Sequence, residues 1–175
     1  MNKKKEMEML QLAELTHQAS CVTGNVVEIG SLYGRSAIAI AKGLKQNGKG
    51  KIFTIDPHQN YYSKYDTFLK NVNDSGLKEY IHPVKDFSFN VLLKQYPVEL
   101  FQEPLKMLFF DGDHSYEGMK KDLKWIPWIQ KGGRVLFHDY CARLGVTKAV
   151  DEYCANHSDL KLLKTVGSLI IFEKL

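Results

Sequence analysis

The strongest constraint on the fold is an alternation of short apolar runs with longer amphipathic stretches, repeated five times along the chain. Asn25–Gly30, Lys51–Ile55, Ile81–Val84, Leu105–Phe110 and Arg134–Phe137 have strand length and are mostly bounded by Gly, Pro or Asp. Helical spacing of apolar residues predicts helices over Lys5–Ala19, Ser36–Lys45, Thr67–Asn73, Ser88–Gln95, Glu117–Trp125 and Val146–Asn156. Strand and helix in alternation imply an α/β fold, with a mostly parallel sheet covered by helices on both faces. Two last strands, near Leu160–Lys164 and Ser168–Phe172, have only Thr165-Val166-Gly167 between them. That is too short for a parallel crossover, so this pair is expected to be an antiparallel hairpin that completes a seven-stranded sheet.

At 175 residues, with 44% apolar and 25% charged, the chain is expected to form one globular domain over 1–175. Residues 1–22 would supply an N-terminal helix that packs on the core. The net charge of +4 resides partly in Lys3, Lys4 and Lys5. No basic stripe with interleaved aromatics appears, which argues against a nucleic acid partner. Cys21, Cys141 and Cys154 form neither a disulfide framework nor a CxxC zinc pair. Glu6 and Glu8 interrupt the N-terminal stretch before any apolar signal-peptide segment, and no run is long enough to span a bilayer. The expected compartment is the cytoplasm, with no membrane partner.

In open parallel sheets, ligands bind beyond the carboxyl ends of the strands. After the first strand comes Glu28-Ile-Gly30-Ser31-Leu-Tyr-Gly34-Arg-Ser36. Gly30 permits a tight turn and close approach of a ligand to the backbone. Leu32 stands where a GxGxxG dinucleotide fingerprint needs glycine, which disfavours a pyrophosphate site. Asp56 follows the second strand and offers two acceptor oxygens, suited to a ribose diol or to a helix cap. After the third strand, Asp86 or Ser88 could bond an adenine amino group and Phe87 could pack on its ring; the same residues also make a good helix start. The fourth strand ends in Asp111-Gly-Asp113-His114-Ser115-Tyr116, and the fifth in His138-Asp139-Tyr140. Such a concentration of ionisable groups at two strand ends points to a functional cluster, although Ser115 and Glu117 also suit a helix cap.

Val27–Ala37 resembles the first motif of class I methyltransferases that use S-adenosylmethionine (SAM), in particular small-molecule O-methyltransferases that also lack the middle glycine. Phe110–Gly118, with Lys121-Asp122-Leu123 and Gly132-Gly133…Phe137-His138-Asp139, resembles a mostly bacterial methyltransferase-domain family. The resemblance covers the chain from about Asn25 onward. It implies a Rossmann-like doubly wound fold. It also implies that Glu28 and Gly30 lie under the methionine part of SAM with Ser31 and Gly34 nearby, that Ser36 belongs to the cofactor site, that Asp56 holds the ribose, and that Asp86 and Ser88 face adenine. In metal-dependent relatives the carboxylate ending the fourth strand and two side chains ending the fifth bind a divalent cation. Asp111, His138 and Asp139 match those positions, with Asp111 also bordering the cofactor. His138 departs from the usual carboxylate-and-amide pattern. Oxygen ligands suit magnesium, calcium or manganese, while imidazole suits later transition metals.

The implied reaction is methyl transfer to a small-molecule acceptor, expected at a hydroxyl oxygen. Such an oxygen needs its proton lost, either by metal acidification or by a general base, His138 or His114, oriented by Asp113 or Asp139. RNA or protein methylation, and a non-catalytic SAM- or nucleotide-binding module, are the alternatives. Tyr61, Tyr62, Tyr65, Tyr116, Tyr140 and Trp125 are candidates for a pocket lid or wall. The N-terminal helix leaves room for a homodimer.

Overall fold

The computed structural model describes residues 2–59 and 65–175. Helix α1 (Lys3–Ser20) precedes the first strand, β1 (Asn25–Ile29). Then follow α2 (Arg35–Asn47), β2 (Ile52–Ile55), α3 (Tyr65–Asp74), β3 (Ile81–Val84), α4 (Ser88–Lys94), α5 (Val98–Gln102) and β4 (Leu105–Phe110). The chain continues through α6 (Tyr116–Asp122), β5 (Arg134–Phe137), α7 (Leu144–Asn156), β6 (Leu160–Val166) and β7 (Leu169–Lys174). The strand order is β3-β2-β1-β4-β5-β7-β6. β1 to β5 pair in parallel, while β7 is antiparallel to both β5 and β6. This is the doubly wound sheet with a C-terminal hairpin that the alternation predicts.

β1, β2 and most of β4 and β5 are buried on both faces, as parallel strands covered by helices must be. Alternate residues enter two separate cores. Val27, Ile29, Leu108, Phe110 and Phe137 pack with Val91, Met119, Trp125, Val146 and Val150 from α4 to α7 and the turn after α6. Val26, Met107, Phe109 and Leu136 pack on the other face with Leu15, Ala19, Ile40, Leu44 and Phe68 from α1, α2 and α3. Helices α1 and α2 lie very close: a Cβ at Gly43 would stand 2.2 Å from the Thr16 carbonyl oxygen, and Thr16 Oγ1 donates to Ala39 O at 2.8 Å. The N-terminal helix is thereby fixed against the sheet.

Three elements differ from expectation. The helix expected over Glu117–Trp125 changes after Asp122 into a 3-10 turn, Leu123–Trp128, which contains Pro127; proline lacks the N–H that an α-helix requires there. Helix α5 escapes a periodicity reading because five residues are barely one turn. In the hairpin β6 runs on to Val166 and β7 begins at Leu169 and continues to Lys174, so Val166 pairs with Leu169 across a two-residue turn. The three cysteines are free. No helix among the described residues is long and apolar enough to cross a membrane.

Candidate functional site

The strand order reverses between β1 and β4, the switch point at which a doubly wound sheet opens a crevice. A crevice of about 1080 Å³ lies there, as large as the roomiest small-molecule sites, which run to about 1,000 Å³. Gly30, Ser31 and Ser36 line it after β1, Asp56 after β2, Phe87 and Ser88 after β3, Asp111 and His114 after β4, and His138 after β5. Gln11 and Leu15 of α1 complete the wall.

Gly30 is the hinge of this arrangement. Its φ is 87°, and a Cβ there would stand 2.2 Å from the Asp111 carbonyl oxygen. Only glycine allows the loops after β1 and β4 to meet at this distance. Asp111 N donates to Ile29 O at 2.8 Å, which carries the β1–β4 pairing one residue beyond the strand ends. The neighbouring pair extends likewise: Phe110 registers with Phe137, and His138 N donates to Phe110 O at 3.0 Å. Sheet register therefore sets Asp111 beside His138.

Asp56 lines the crevice, but its carboxylate already has backbone partners. Oδ2 accepts from Ser31 N and Leu32 N, each at 3.0 Å, and Oδ1 accepts from His58 N at 2.7 Å. It braces the loop between β1 and α2. Glu28 lies beneath that loop, fully buried, and neither carboxyl oxygen makes a hydrogen bond; Ser31 Oγ and Thr54 Oγ1 are likewise buried without partners. Burial pushes the Glu28 carboxyl up to about 8; the nearby Ser36 hydroxyl pulls it down, and the charges of Asp111 and Asp56 push it further up.

The two residues expected to face adenine separate. Asp86 does not line the crevice, which corrects the expectation that it faces a ligand there. Its Oδ1 accepts from Phe87 N and Asn90 Nδ2, and its Oδ2 faces Lys94, so it serves the start of α4. Ser88 does line the crevice, and its hydroxyl donates to the buried Asp122. Burial raises the Asp122 carboxyl to about 6, against the lowering effect of that bond. Phe87 and Phe89 stack with ring centres 5.7 Å apart on the same rim.

At the other end, ligand atoms of Asp111, His138 and Asp139 all lie within 4.8 Å of one another. His138 Nδ1 stands 3.1 Å from Asp111 Oδ1 and 3.4 Å from Asp139 Oδ1. It is buried, and despite those distances no hydrogen-bond geometry reaches it. Asp139 has φ 57°, a left-handed backbone that aspartate tolerates better than most residues, and Ala142 N and Arg143 N donate to its carbonyl. His114 Nε2 lies 3.3 Å from Asp111 Oδ1 and 3.5 Å from Asp139 Oδ2. Of the two orienting carboxylates expected, Asp113 or Asp139, it is Asp139 that faces both histidines, while Asp113 Oδ1 accepts from Ser115 N, in a turn whose Ser115 Oγ caps α6. Burial disfavours charge on both Asp111 and His138, yet their attraction wins. The Asp111 carboxyl is held below the usual range by His114 and His138, and His138 is held above its usual value by Asp111 and Asp139. His114 is raised by its bond to Asp111, in spite of burial.

A buried imidazole nitrogen without a hydrogen-bond partner, facing two carboxylates, is a donor set that a divalent cation fits. Two carboxylates and one imidazole would suit manganese as well as harder ions.

The sequence from 27 to 140 matches the family model described as "Methyltransferase domain". The chain belongs to the methyltransferase-domain family. Among curated proteins it is 29% identical over 121 residues to the uncharacterized protein R132 of Acanthamoeba polyphaga mimivirus, covering 65% of this chain and 50% of R132. The chain thus spans about half the length of that relative. Among solved structures, the O-methyltransferase NovP superposes with a TM-score of 0.76 at 19% identity, covering 96% of this chain and 79% of NovP. An O-methyltransferase from Bacillus cereus, solved in complex with S-adenosylhomocysteine (SAH), gives a TM-score of 0.70 at 20% identity, covering 94% and 81%. At these identities the likeness speaks for the fold.

In this methyltransferase-domain chain the aromatic expectations are largely corrected. Trp125 is fully buried and stacks on Phe101 in the core. Tyr65, the first residue of α3, packs against the second core. Tyr116 and Tyr140 donate to Glu152 and Asp151 on α7, and neither lines the crevice. Tyr61 and Tyr62 lie outside the described residues. Gly34 sits behind the wall against Phe68. What the sequence reading missed is the contribution of α1. Gln11 is 7% exposed and lies one turn before Leu15 on the buried face. A polar residue at that helical spacing was the available signal.

Proposed function

We propose that this chain transfers the methyl group of SAM to a hydroxyl oxygen of a small-molecule acceptor, with a divalent cation held by Asp111, His138 and Asp139. The observation that carries the reading is the convergence of these three side chains, two of which, Asp111 and His138, line a crevice whose other walls are the Gly30 turn, Asp56 and Ser88. Membership of the family supports methyl transfer, and the SAH-bound Bacillus cereus neighbour supports SAM as the donor.

The C–S bond of the sulfonium breaks as the C–O bond forms, leaving SAH, and the acceptor hydroxyl gives up a proton. The donor carries its own activation, so the protein must chiefly position the partners. Gly30 lets the ligand approach backbone, Phe87 and Phe89 offer ring surface at the adenine end, and Asp56 fixes the loop above the ribose. A bound cation would supply acidification of the acceptor oxygen. His114 Nε2 faces both carboxylates and donates to Asp111, so the other ring nitrogen would be the one to receive the proton.

The test is turnover against a panel of hydroxylated small molecules, with SAM binding followed separately. Chelator is expected to abolish turnover, manganese or magnesium to restore it, and SAM affinity to change little. Turnover that survives chelation but is lost in His114→Ala or His138→Ala would replace the cation with a histidine base. SAM binding with no turnover on small molecules, RNA or protein would leave a binding module.

A further inference from the structure

The side-chain amide of Gln11 is held in one orientation by chemistry alone. Its Nε2 lies 3.1 Å from the carbonyl oxygen of Val166 and 3.2 Å from Ser168 Oγ. A carbonyl oxygen can only accept, so the NH2 end of the amide must face the β6–β7 turn. The carbonyl end, Oε1, then faces the crevice, 3.3 Å from His138 Nε2. An amide oxygen can only accept as well, so His138 Nε2 must carry a proton. In the neutral ring that leaves Nδ1 as the lone-pair nitrogen, and Nδ1 is the atom that faces Asp111 and Asp139.

We infer that Gln11 is a positioning residue that fixes His138 as its Nε2–H tautomer and so presents Nδ1 as a ligand beside Asp111 and Asp139. The inference rests on the cation reading for what Nδ1 does, although the tautomer itself does not depend on it. The relay runs from the hairpin turn through α1 to the end of β5. Gln11 is buried and anchored at its amide by Val166 and Ser168, which favours this one orientation. Without it, Nε2–H would have no acceptor in the described structure. The ring could then move the proton to Nδ1, where two carboxylates would accept it and where it would block a cation. Outer partners of this kind fix both ring orientation and tautomer, and their loss typically costs about 10–100-fold in metal affinity. α1 thereby gains a role beyond packing: it supplies the group that decides which nitrogen of His138 is available.

The experiment uses the whole chain and two variants. Gln11→Met keeps length and apolar bulk but removes the acceptor. Ser168→Ala removes one anchor of the amide without touching His138, which keeps the test alive if Gln11→Met fails to fold. Nitrogen–proton NMR correlations of the imidazoles in metal-free protein, at a pH where His138 is neutral, read the tautomer directly. Manganese affinity, measured by the electron-spin signal of the free ion, reads the ligand. Wild type is expected to show Nε2–H. Gln11→Met is expected to show a mixed or inverted tautomer and manganese binding weakened about 10–100-fold, with Ser168→Ala shifted less in the same direction. An Nδ1–H ring in wild type, or a tautomer unchanged in Gln11→Met, overturns the assignment. Should wild type show Nε2–H and Gln11→Met lose it while neither binds manganese, the positioning role stands and the cation reading fails.

Discussion

His138 Nδ1 stands 3.1 Å from Asp111 Oδ1 because β4 and β5 are parallel neighbours in register, with each strand end carried one residue further by backbone hydrogen bonds. In metal-free protein this contact is an attraction between a carboxylate and a ring that gains a proton. The Asp111 carboxyl is held low, and His114 and His138 are both raised above the ordinary histidine value of 6.5. A raised histidine contributes stability that is complete below its unfolded pKa and is lost as pH rises through the folded pKa. Metal-free wild type is therefore expected to lose denaturant stability as pH climbs above 6.5. Asp111→Asn should flatten that part of the profile. A profile with the same slope in the variant would remove the cluster as its source.

Glu28 adds a second slope with a different origin. Its carboxyl is pushed from an ordinary 4.5 to about 8 by burial, so folding disfavours its charged form. Between those values the unfolded chain gives up the proton while the folded chain keeps it, and stability falls as pH rises through the window. Glu28→Gln should remove that fall and leave the variant more stable than wild type at pH 8 and above, on the order of a few kcal/mol. Urea unfolding at several pH values measures it, and a variant no more stable than wild type at alkaline pH would show that Glu28 is solvated or paired in the folded protein.

Much of this site could be read from residues alone, for a topological reason. In a doubly wound sheet any residue just past a strand's carboxyl end faces the crevice region, so reading strand ends suffices to nominate Gly30, Asp56, Asp111 and His138. What the sequence could not say is which way each side chain turns once there. Asp86 also follows a strand, but local hydrogen bonds to Phe87 and Asn90 hold it to the start of α4. His114 meets Asp111 and Asp139 instead of its neighbour Asp113, because the cap of α6 engages Asp113. Gln11 showed only as a polar residue at a buried helical spacing, and its role stayed hidden for a further reason. Its partners, Val166 and Ser168, are more than 150 residues away in the chain, and only the fold brings them together.

Gly30→Ala is expected to be costly in both stability and ligand binding. The backbone is left-handed there, and the added Cβ would stand 2.2 Å from the Asp111 carbonyl oxygen, an atom fixed by the sheet. Strain and displacement together should cost about 2–4 kcal/mol. Gly48→Ala is the control, since its φ of 72° carries the same backbone strain but nothing lies within 4 Å of the new Cβ. Its cost should be about 1–2 kcal/mol. Equal losses for the two variants would show that the close approach of the loops after β1 and β4 contributes nothing.

Asp56 invites the last prediction, because the structure gives it one role and the proposed SAM site would give it a second, and two ligands can tell them apart. Its oxygens accept from the backbone N–H groups of Ser31, Leu32 and His58, so it holds the β1–α2 loop in shape before any ligand arrives. It also borders the crevice, where a ribose diol of SAM would meet it. A carboxylate oxygen has room for more than one donor, so the two roles are compatible. Asp56→Ala removes both and should weaken SAM binding by roughly 1.5–3 kcal/mol, the worth of hydrogen bonds to a charged acceptor. Calorimetry with SAM and with a 2′,3′-dideoxy analogue tells the roles apart. If Asp56 holds the diol, wild type should discriminate strongly between the two ligands and Asp56→Ala should not. If the variant weakens both equally while wild type does not distinguish them, Asp56 acts on the loop alone and the ribose assignment falls.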